Sequence, residues 1–268
     1  MSANTKVRRA YADTPHGQIH YLTAGSGEPV LMLHQTPRSS DEFLDVIPTF
    51  AAKNFEVFAM DTIGYGDSYR PEKAPSVKDF GDAAVEFLDA VGVDRAHVVG
   101  HHTGSIIAIE IASSHPERLR RLVLSAAPYV DEERRREIRT RPPVDRVEVR
   151  DDGSHLTQLW QLRMGFYPKN RPDLLTRFVI DALRAGSSVE AGHLAVSSYP
   201  VPERLPLIRA PTLVMCGTED PFCYPDLRKI AGGIKGSRVV EVEGGRVPLV
   251  DQMPEVFSRL VIDFLRSA

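Results

Sequence analysis

The sequence predicts an α/β fold built on a mostly parallel sheet of eight strands. Short β-rich runs alternate with longer amphipathic segments along most of the chain, which is typical of strands connected by helices that cover a sheet. Residues 30–33 are continuously apolar, and this pattern indicates a strand buried on both faces. The alternation stops over residues 131–205 and then resumes, which indicates an insertion in the middle of one α/β unit.

The strands are predicted from β-rich runs that end at glycine, proline or polar residues. The first two runs are expected to pair as an antiparallel hairpin through Pro15-His16-Gly17. The predicted strands are residues 7–12, 18–23, 30–33, 56–60, 97–99, 121–125, 212–216 and 239–242.

Helices are predicted where apolar residues recur at a helical spacing. Such segments lie between the predicted strands and at the end of the chain. They are residues 41–53, 80–91, 103–114 and 256–265.

Residues 131–205 are predicted to be a helical lid. The stretch is charged at its start, contains Pro142-Pro143, and has a turn signal at residues 151–154. An insertion after the sixth strand is expected to lie over the carboxyl ends of the parallel strands. The predicted core is therefore residues 1–130 and 206–268, with residues 131–205 as the lid.

Composition excludes several functional classes. The chain has 268 residues, with 33 basic against 36 acidic side chains, so no face for binding nucleic acid is expected. The two cysteines lack the spacing of a disulfide framework or a metal site. The first residues show no secretory signal, and no run is long and apolar enough to cross a membrane. We expect a cytoplasmic protein with a small-molecule substrate, no membrane partner, no cofactor and no metal, and with monomer and homodimer both open.

The most informative local pattern is VVGHHTG at residues 98–104. It predicts a buried strand, a tight turn and then a helix. Two glycines that flank such a turn allow a strained backbone and close packing of the helix on the strand. The residue at the centre of the turn is His102, where it would begin the helix. The helix N-terminus disfavours a cation there, so a neutral imidazole is expected.

These residues resemble the α/β-hydrolase superfamily over nearly the whole chain. The turn at residues 98–104 is similar to its nucleophile elbow, and HQTP at residues 34–37 is similar to its oxyanion loop. DTIGYGDS at residues 61–68 also resembles a turn of the family. The segments CGTEDP at residues 216–221 and GGRVP at residues 244–248 resemble the loops that carry the acid and the histidine of the triad. The resemblance implies an eight-stranded α/β-hydrolase core.

Two of the three triad positions depart from the family pattern. The resemblance assigns the acid to Asp220, but His102 stands at the nucleophile and Arg246 at the histidine position. An arginine cannot act as a base near neutral pH. Arg246 is expected to form a salt bridge with Asp220, or to hold a substrate carboxylate or enolate, and both roles can coexist. His102 is a candidate base or nucleophile, and the alternative is that it only fills a dead site.

Other site residues follow from the same resemblance. Backbone amides of Gln35 and Thr103 are expected to form an oxyanion hole, which is independent of the lost serine. His34 ends a buried strand and is expected to brace the oxyanion loop beside the substrate. His101 is expected to turn away from the pocket. In the lid, Trp160, Met164 and Tyr167 are candidates for lining the substrate chamber, with packing inside the lid as the alternative.

Two functions from different classes remain open on the sequence. The first is an α/β-hydrolase-type enzyme that acts on a small carbonyl-containing or acidic molecule through His102, in a hydrolytic, lyase, isomerase or oxygenase reaction. The second is a disabled hydrolase that binds a small molecule without turnover.

Overall fold

The computed structural model of the protein describes residues 5–142 and 144–267. Within them, eight strands form one sheet in the order β1-β2-β4-β3-β5-β6-β7-β8. The predicted mostly parallel eight-stranded sheet is confirmed. The strands are β1 (Arg8–Thr14), β2 (Gly17–Gly25), β3 (Glu28–Leu33), β4 (Phe55–Met60), β5 (Ala96–His101), β6 (Leu119–Ser125), β7 (Thr212–Gly217) and β8 (Arg238–Val242).

The first two strands form the antiparallel edge of the sheet. β1 pairs with β2 as a hairpin, in which Thr14 lies opposite Gly17. β2 is also antiparallel to β4, whereas β4, β3, β5, β6, β7 and β8 run parallel to one another. The carboxyl ends of the parallel strands therefore meet at one edge of the sheet, where ligands of such sheets bind.

Helices cover both faces of the sheet. They are α1 (Ile47–Ala52), α2 (Val77–Ala90), α3 (Thr103–Ser114), α4 (Glu132–Arg139), α5 (Ser154–Met164), α6 (Pro172–Ala185), α7 (Ala191–Ser198), α8 (Val201–Arg204), α9 (Leu227–Gly232), α10 (Leu249–Gln252) and α11 (Pro254–Arg266). None of the helices in the described ranges is long and apolar enough to cross a membrane.

The continuous apolar run of β3 is explained by burial on both faces. In β3, Leu31 and Leu33 belong to the hydrophobic cluster that includes α2 and α3. Val30 and Met32 point to the opposite cluster, which includes α1 and α11. All four side chains are fully buried. Successive side chains of a strand alternate between faces, so a strand between two layers of helices needs an apolar residue at every position.

The predicted helix over residues 41–53 is only partly present. A short 3-10 turn, Ser40–Phe43, is followed by α1, which begins at Ile47. Pro48 lies in the first turn of α1, where a proline is tolerated because its missing N–H has no helical partner. Inside one continuous helix, Pro48 would have removed a backbone hydrogen bond, so the segment forms a 3-10 turn and a separate short helix.

The turn after β4 is organised around one buried carboxylate. Asp61 accepts hydrogen bonds from the backbone N–H groups of Ser40 (2.6 Å) and Asp67 (2.8 Å), and its Oδ2 lies 2.8 Å from Nδ1 of His20. A Cβ on Gly66 would lie 1.9 Å from that same Oδ2, and Gly66 has a φ of 51°. Glycine is therefore required for this close approach.

Helices α4 to α8 lie between β6 and β7 in the chain, and residues 131–205 are called the inserted segment below. Ion pairs connect it to the core. Nε of Arg38 donates a hydrogen bond to Asp181 of α6 over 2.7 Å, and the guanidinium also contacts Asp251 of α10. Arg177 of α6 donates to Asp41 of the core over 2.7 Å. The domain boundaries remain a prediction, and residues 1–4, 143 and 268 of the predicted core and lid lie outside the described residues.

Candidate active site around His102

His102 occupies a sharp turn between β5 and α3. Its φ of 48° and ψ of −113° are a strained conformation for a residue with a side chain, as predicted for this position. Its backbone N–H donates to the carbonyl of Ser125 over 2.9 Å. A Cβ on Gly100 would lie 2.2 Å from the carbonyl oxygen of Gly104, and one on Gly104 would lie 1.9 Å from that of Leu33. The two glycines are therefore required for the turn.

The imidazole of His102 lies between two side chains of the loop after β7. Nε2 is 3.0 Å from Oδ2 of Asp220, and Nδ1 is 3.4 Å from Sγ of Cys223. The contact with Asp220 has the distance of an ion pair, although the ring nitrogen does not meet Oδ2 at a hydrogen-bonding angle. The side chain of His102 is 13% exposed and that of Asp220 is 1% exposed. The structure therefore places the elbow histidine directly beside the acid of the predicted triad.

Asp220 is held as a carboxylate and also shapes its own loop. Its Oδ1 accepts backbone hydrogen bonds from Phe222 (2.9 Å) and Cys223 (3.1 Å). Burial alone would raise the pKa of this carboxyl. The neighbouring His102 and the two backbone N–H groups outweigh burial and lower the pKa. A negative charge beside the imidazole is what stabilises it when it accepts a proton.

His101 is directed away from this centre, as predicted. It is fully buried, with Nδ1 3.0 Å from Oγ of Ser125 and Nε2 3.0 Å from the carbonyl oxygen of Val247. The neutral ring satisfies both contacts if Nε2 carries the proton and donates to Val247. Burial outweighs the nearby Glu42 carboxylate and lowers the pKa of His101 to about 4.

The loop after β3 corrects one predicted oxyanion donor. The backbone N–H of Gln35 donates to Glu42 over 2.9 Å, so this amide is not free to bind a substrate oxygen. The next amide, that of Thr36, makes only a long contact of 3.4 Å with Oγ1 of Thr103. Thr103 is the first residue of α3, so its own N–H has no partner within the helix. Thr36 therefore replaces Gln35 as the candidate second donor.

A cavity of about 580 Å³ opens beside His102. Thr36, Thr103 and Cys223 line it from the core, and residues of the inserted segment line the opposite side. Much of the wall is apolar, and arginines are its main charged groups. The apolar residues are Pro128, Val130, Ile138, Pro142, Val144, Leu194, Val196, Phe222 and Val247; the charged ones are Arg134, Arg141, Arg146, Arg163 and Glu190. Its size suits a small organic molecule.

Known proteins share both the sequence pattern and this architecture. The family described as alpha/beta hydrolase fold matches residues 28–251. The chain belongs to the α/β-hydrolase family. The 2-hydroxy-6-oxo-6-phenylhexa-2,4-dienoate hydrolase of Comamonas testosteroni is 30% identical over 93% of this chain and 91% of its own length. The soluble epoxide hydrolase of Corynebacterium sp. (strain C12) is 35% identical over 40% of this chain, and that match spans only 37% of the epoxide hydrolase.

A solved structure has the same fold over nearly the whole of this chain. The enol-lactonase from Burkholderia xenovorans LB400 superimposes with a TM-score of 0.81, covering 96% of this chain and 100% of the enol-lactonase. Its sequence identity is 20%, so the likeness shows the fold. The relatives are hydrolases, which supports an enzyme of the α/β-hydrolase family.

The expected salt bridge between Arg246 and Asp220 is wrong. The guanidinium of Arg246 instead contacts Glu219, and the side chain of Arg246 is 30% exposed. Its backbone N–H donates to Oε1 of Gln252 over 2.7 Å. Arg246 is also absent from the cavity wall among the described residues. The backbone direction at this loop carries the guanidinium to the surface carboxylate, so Asp220 is left facing His102.

The residues predicted to bind substrate do not line the cavity in the described part of the chain. His34 is buried; its Nε2 accepts from the N–H of Thr62 over 3.0 Å and its Nδ1 is 2.9 Å from the carbonyl oxygen of Gln35, so it braces the loop. Trp160 packs on the core, Tyr167 is buried within the inserted segment, and Met164 is 56% exposed. Trp160 and Tyr167 therefore make packing contacts and Met164 faces solvent, whereas Arg163 of α5 lines the cavity.

Among the described residues, two groups of side chains have a spacing that could hold a metal ion. One is His102, Asp220 and Cys223, and the other is His20, Asp61 and Asp67. In the first group the ring nitrogens face different partners, which also suits proton transfer. Sequence reasoning missed Cys223, and the available signal was a second ionisable residue close behind Asp220 in the same loop.

Proposed function

We propose that this α/β-hydrolase hydrolyses a small carbonyl compound that carries a negative charge, with His102 as the general base and Asp220 as the group that orients it. The observation that carries the proposal is the 3.0 Å approach of Nε2 of His102 to Oδ2 of Asp220 beside the cavity. A base within reach of a substrate and held by a carboxylate is the arrangement that proton-transfer catalysis needs.

The contacts of the ring favour a base over a nucleophile. Both nitrogens of His102 face protein groups, Asp220 on one side and Cys223 on the other. A nucleophilic ring would need one nitrogen directed at the substrate carbon. A base needs only to receive a proton along an existing contact and to have its positive charge stabilised, which Asp220 does.

Charge that develops on the substrate carbonyl is proposed to be stabilised by two backbone amides. These are the N–H of Thr103, at the start of α3, and the N–H of Thr36. Both residues line the cavity together with His102. Loss of one such donor in other enzymes costs about 10²–10³-fold in turnover.

The proposed substrate class follows from the cavity wall. Apolar side chains cover much of it, and Arg134 and Arg146 add positive charge from the inserted segment, whereas Arg141 is paired with Glu137. Arg163 is already neutralised by Asp145. A molecule with an apolar body and a carboxylate or enolate fits this wall. The dienoate acted on by the Comamonas testosteroni relative, by its name, is of this kind.

The inserted segment is proposed to act as the lid of the site. Its residues supply one side of the cavity wall, and the core supplies His102 and the amide donors. A lid of this kind excludes water from the reacting groups.

A substrate screen tests the proposal with matched variants. Esters, enol-lactones and vinylogous diketones with and without a carboxylate are offered to the wild type, His102→Ala, Asp220→Asn and the surface control His16→Ala. We expect turnover of at least one anionic substrate. The first two variants should lose about 10²–10⁴-fold in kcat/KM, and the control should not change. Full activity of His102→Ala would exclude the base role, and saturable binding without turnover in the wild type would favour a binding protein.

A further inference from the structure

We propose that Cys223 is the nucleophile of this hydrolase and that Cys223, His102 and Asp220 form a rearranged catalytic triad. The inference rests on the proposed function of His102. In other members of the fold the elbow residue is the nucleophile, and here a thiol from the loop after β7 takes that role. The ligand would be an activated acyl compound, which the thiol attacks at the carbonyl carbon.

The three side chains have the order of a triad. Sγ of Cys223 lies 3.4 Å from Nδ1 of His102, and Nε2 of the same ring lies 3.0 Å from Oδ2 of Asp220. A neutral ring with the proton on Nε2 presents a lone pair to the thiol S–H. A nucleophile in contact with a base, and a third group beside that base, is the general arrangement of nucleophilic catalysis.

Asp220 positions both partners at once. Its Oδ2 is beside the imidazole, while its Oδ1 accepts the backbone N–H groups of Phe222 and Cys223. The second contact fixes the backbone from which the thiol projects. Cys223 also lines the cavity, so a substrate that fills the cavity touches the loop that carries the thiol.

Other nucleophiles near the turn are already engaged. The hydroxyl of Ser105 donates over 2.8 Å to the carbonyl oxygens of both Gly100 and Ser125. Ser125 is buried and lies against His101. Among the described residues that line the cavity, Cys223 is the thiol in contact with His102.

The electrostatics make the thiol dependent on its base. Burial and the nearby charge of Asp220 raise the pKa of Cys223 well above its usual value. The resting side chain is therefore a thiol, and it becomes a nucleophile only as its proton moves to His102. Cys216 is equally buried and also has a raised pKa, but among the described residues no histidine contacts it. It is the natural control.

The reaction balances without a further reagent. Nδ1 of His102 takes the S–H proton, sulfur forms a bond to the carbonyl carbon, and the C=O π electrons move to oxygen. When the carbonyl re-forms, the bond to the leaving group breaks and that group takes the proton from His102. Water then attacks the thioester carbon while His102 takes its proton; the C–S bond breaks and sulfur takes that proton back. The products are a carboxylic acid and the protonated leaving group, and the thiol is regenerated.

Native-state labelling tests the inference directly. The folded wild type, Cys216→Ala, His102→Ala and Asp220→Asn are treated with iodoacetamide at neutral pH, and each cysteine is followed by mass spectrometry. We expect Cys223 to be alkylated at least ~10-fold faster than Cys216, and His102→Ala to slow it by ~10-fold or more. Equal rates at the two cysteines, or no effect of His102→Ala, would overturn the proposal.

Turnover separates this inference from the proposed function. On a substrate that His102→Ala no longer converts, Cys223→Ala should lose ~10²-fold or more in kcat, and Cys216→Ala should stay within about twofold of the wild type. A quenched reaction should show the acyl group on Cys223. Normal turnover by Cys223→Ala, or an acyl group elsewhere, would refute the thiol and leave His102 as the base. If Cys223→Ala does not fold, the acyl site and the labelling of the wild type decide.

Discussion

The buried His101 makes the stability of the protein depend on pH. Its pKa is lowered from the ordinary 6.5 to about 4, because a charged ring is poorly solvated in the core. Between these values the unfolded chain binds a proton that the folded chain does not, so stability is complete above about pH 6.5 and falls as the pH is lowered toward 4. A difference of about 2.5 pH units corresponds to roughly 3 kcal/mol of unfolding free energy.

Urea unfolding at several pH values between 7 and 4 measures this effect. His101→Gln removes the titrating group while keeping a donor for the carbonyl of Val247, which His101 contacts at 3.0 Å. The variant should be less stable than the wild type at pH 7, and the difference should shrink by roughly 3 kcal/mol toward pH 4. His16→Gln, at a side chain that is 65% exposed, should keep the wild-type dependence. Parallel curves for the wild type and His101→Gln would refute the reasoning. If that variant does not fold, an NMR titration of His101 with a midpoint near 6.5 would refute it equally.

Three further perturbations test other parts of the structure. Asp61→Asn should lower the unfolding free energy by roughly 2 kcal/mol at neutral pH, because hydrogen bonds from His20 and backbone amides outweigh burial and hold the pKa of Asp61 at about 2. Urea unfolding should show that this loss of stability becomes smaller as the pH drops from about 4 toward 2. Arg38→Met leaves two buried aspartates without their shared partner and should lower stability by about 3–5 kcal/mol in calorimetry. A much smaller loss would contradict the buried ion-pair network. Arg246→Ala should leave kcat/KM within about twofold, since its partner Glu219 is at the surface, and a large loss would restore a catalytic role for Arg246.

Features that depend on local pattern were predictable from the sequence. The buried strand β3 followed from a continuous apolar run, because a strand covered on both faces needs an apolar side chain at each position. The turn at His102 followed from Gly100 and Gly104, since neither position has room for a Cβ. The family followed from the same turn and from the segments after β3, β4 and β7.

Features that depend on the direction of a single group were not predictable. The peptide N–H of Gln35 is taken by Glu42, so the candidate donor moves by one residue to Thr36. Carboxylates at two neighbouring positions, Glu219 and Asp220, could have paired with Arg246, and it contacts Glu219. In both cases the backbone orientation at the end of a strand determines the partner of the group, and no periodicity in the sequence predicts that orientation.

The sequence by itself determined the α/β-hydrolase family, the order of the strands along the chain, and the presence of a histidine at the central turn. Only the tertiary structure decided what that histidine touches. His102 and Cys223 are 121 positions apart in the chain, and they meet because β5 and β7 end at the same edge of the sheet, on either side of β6. Apolar spacing encodes which surfaces are buried, whereas a contact between two loops depends on how the whole sheet is assembled.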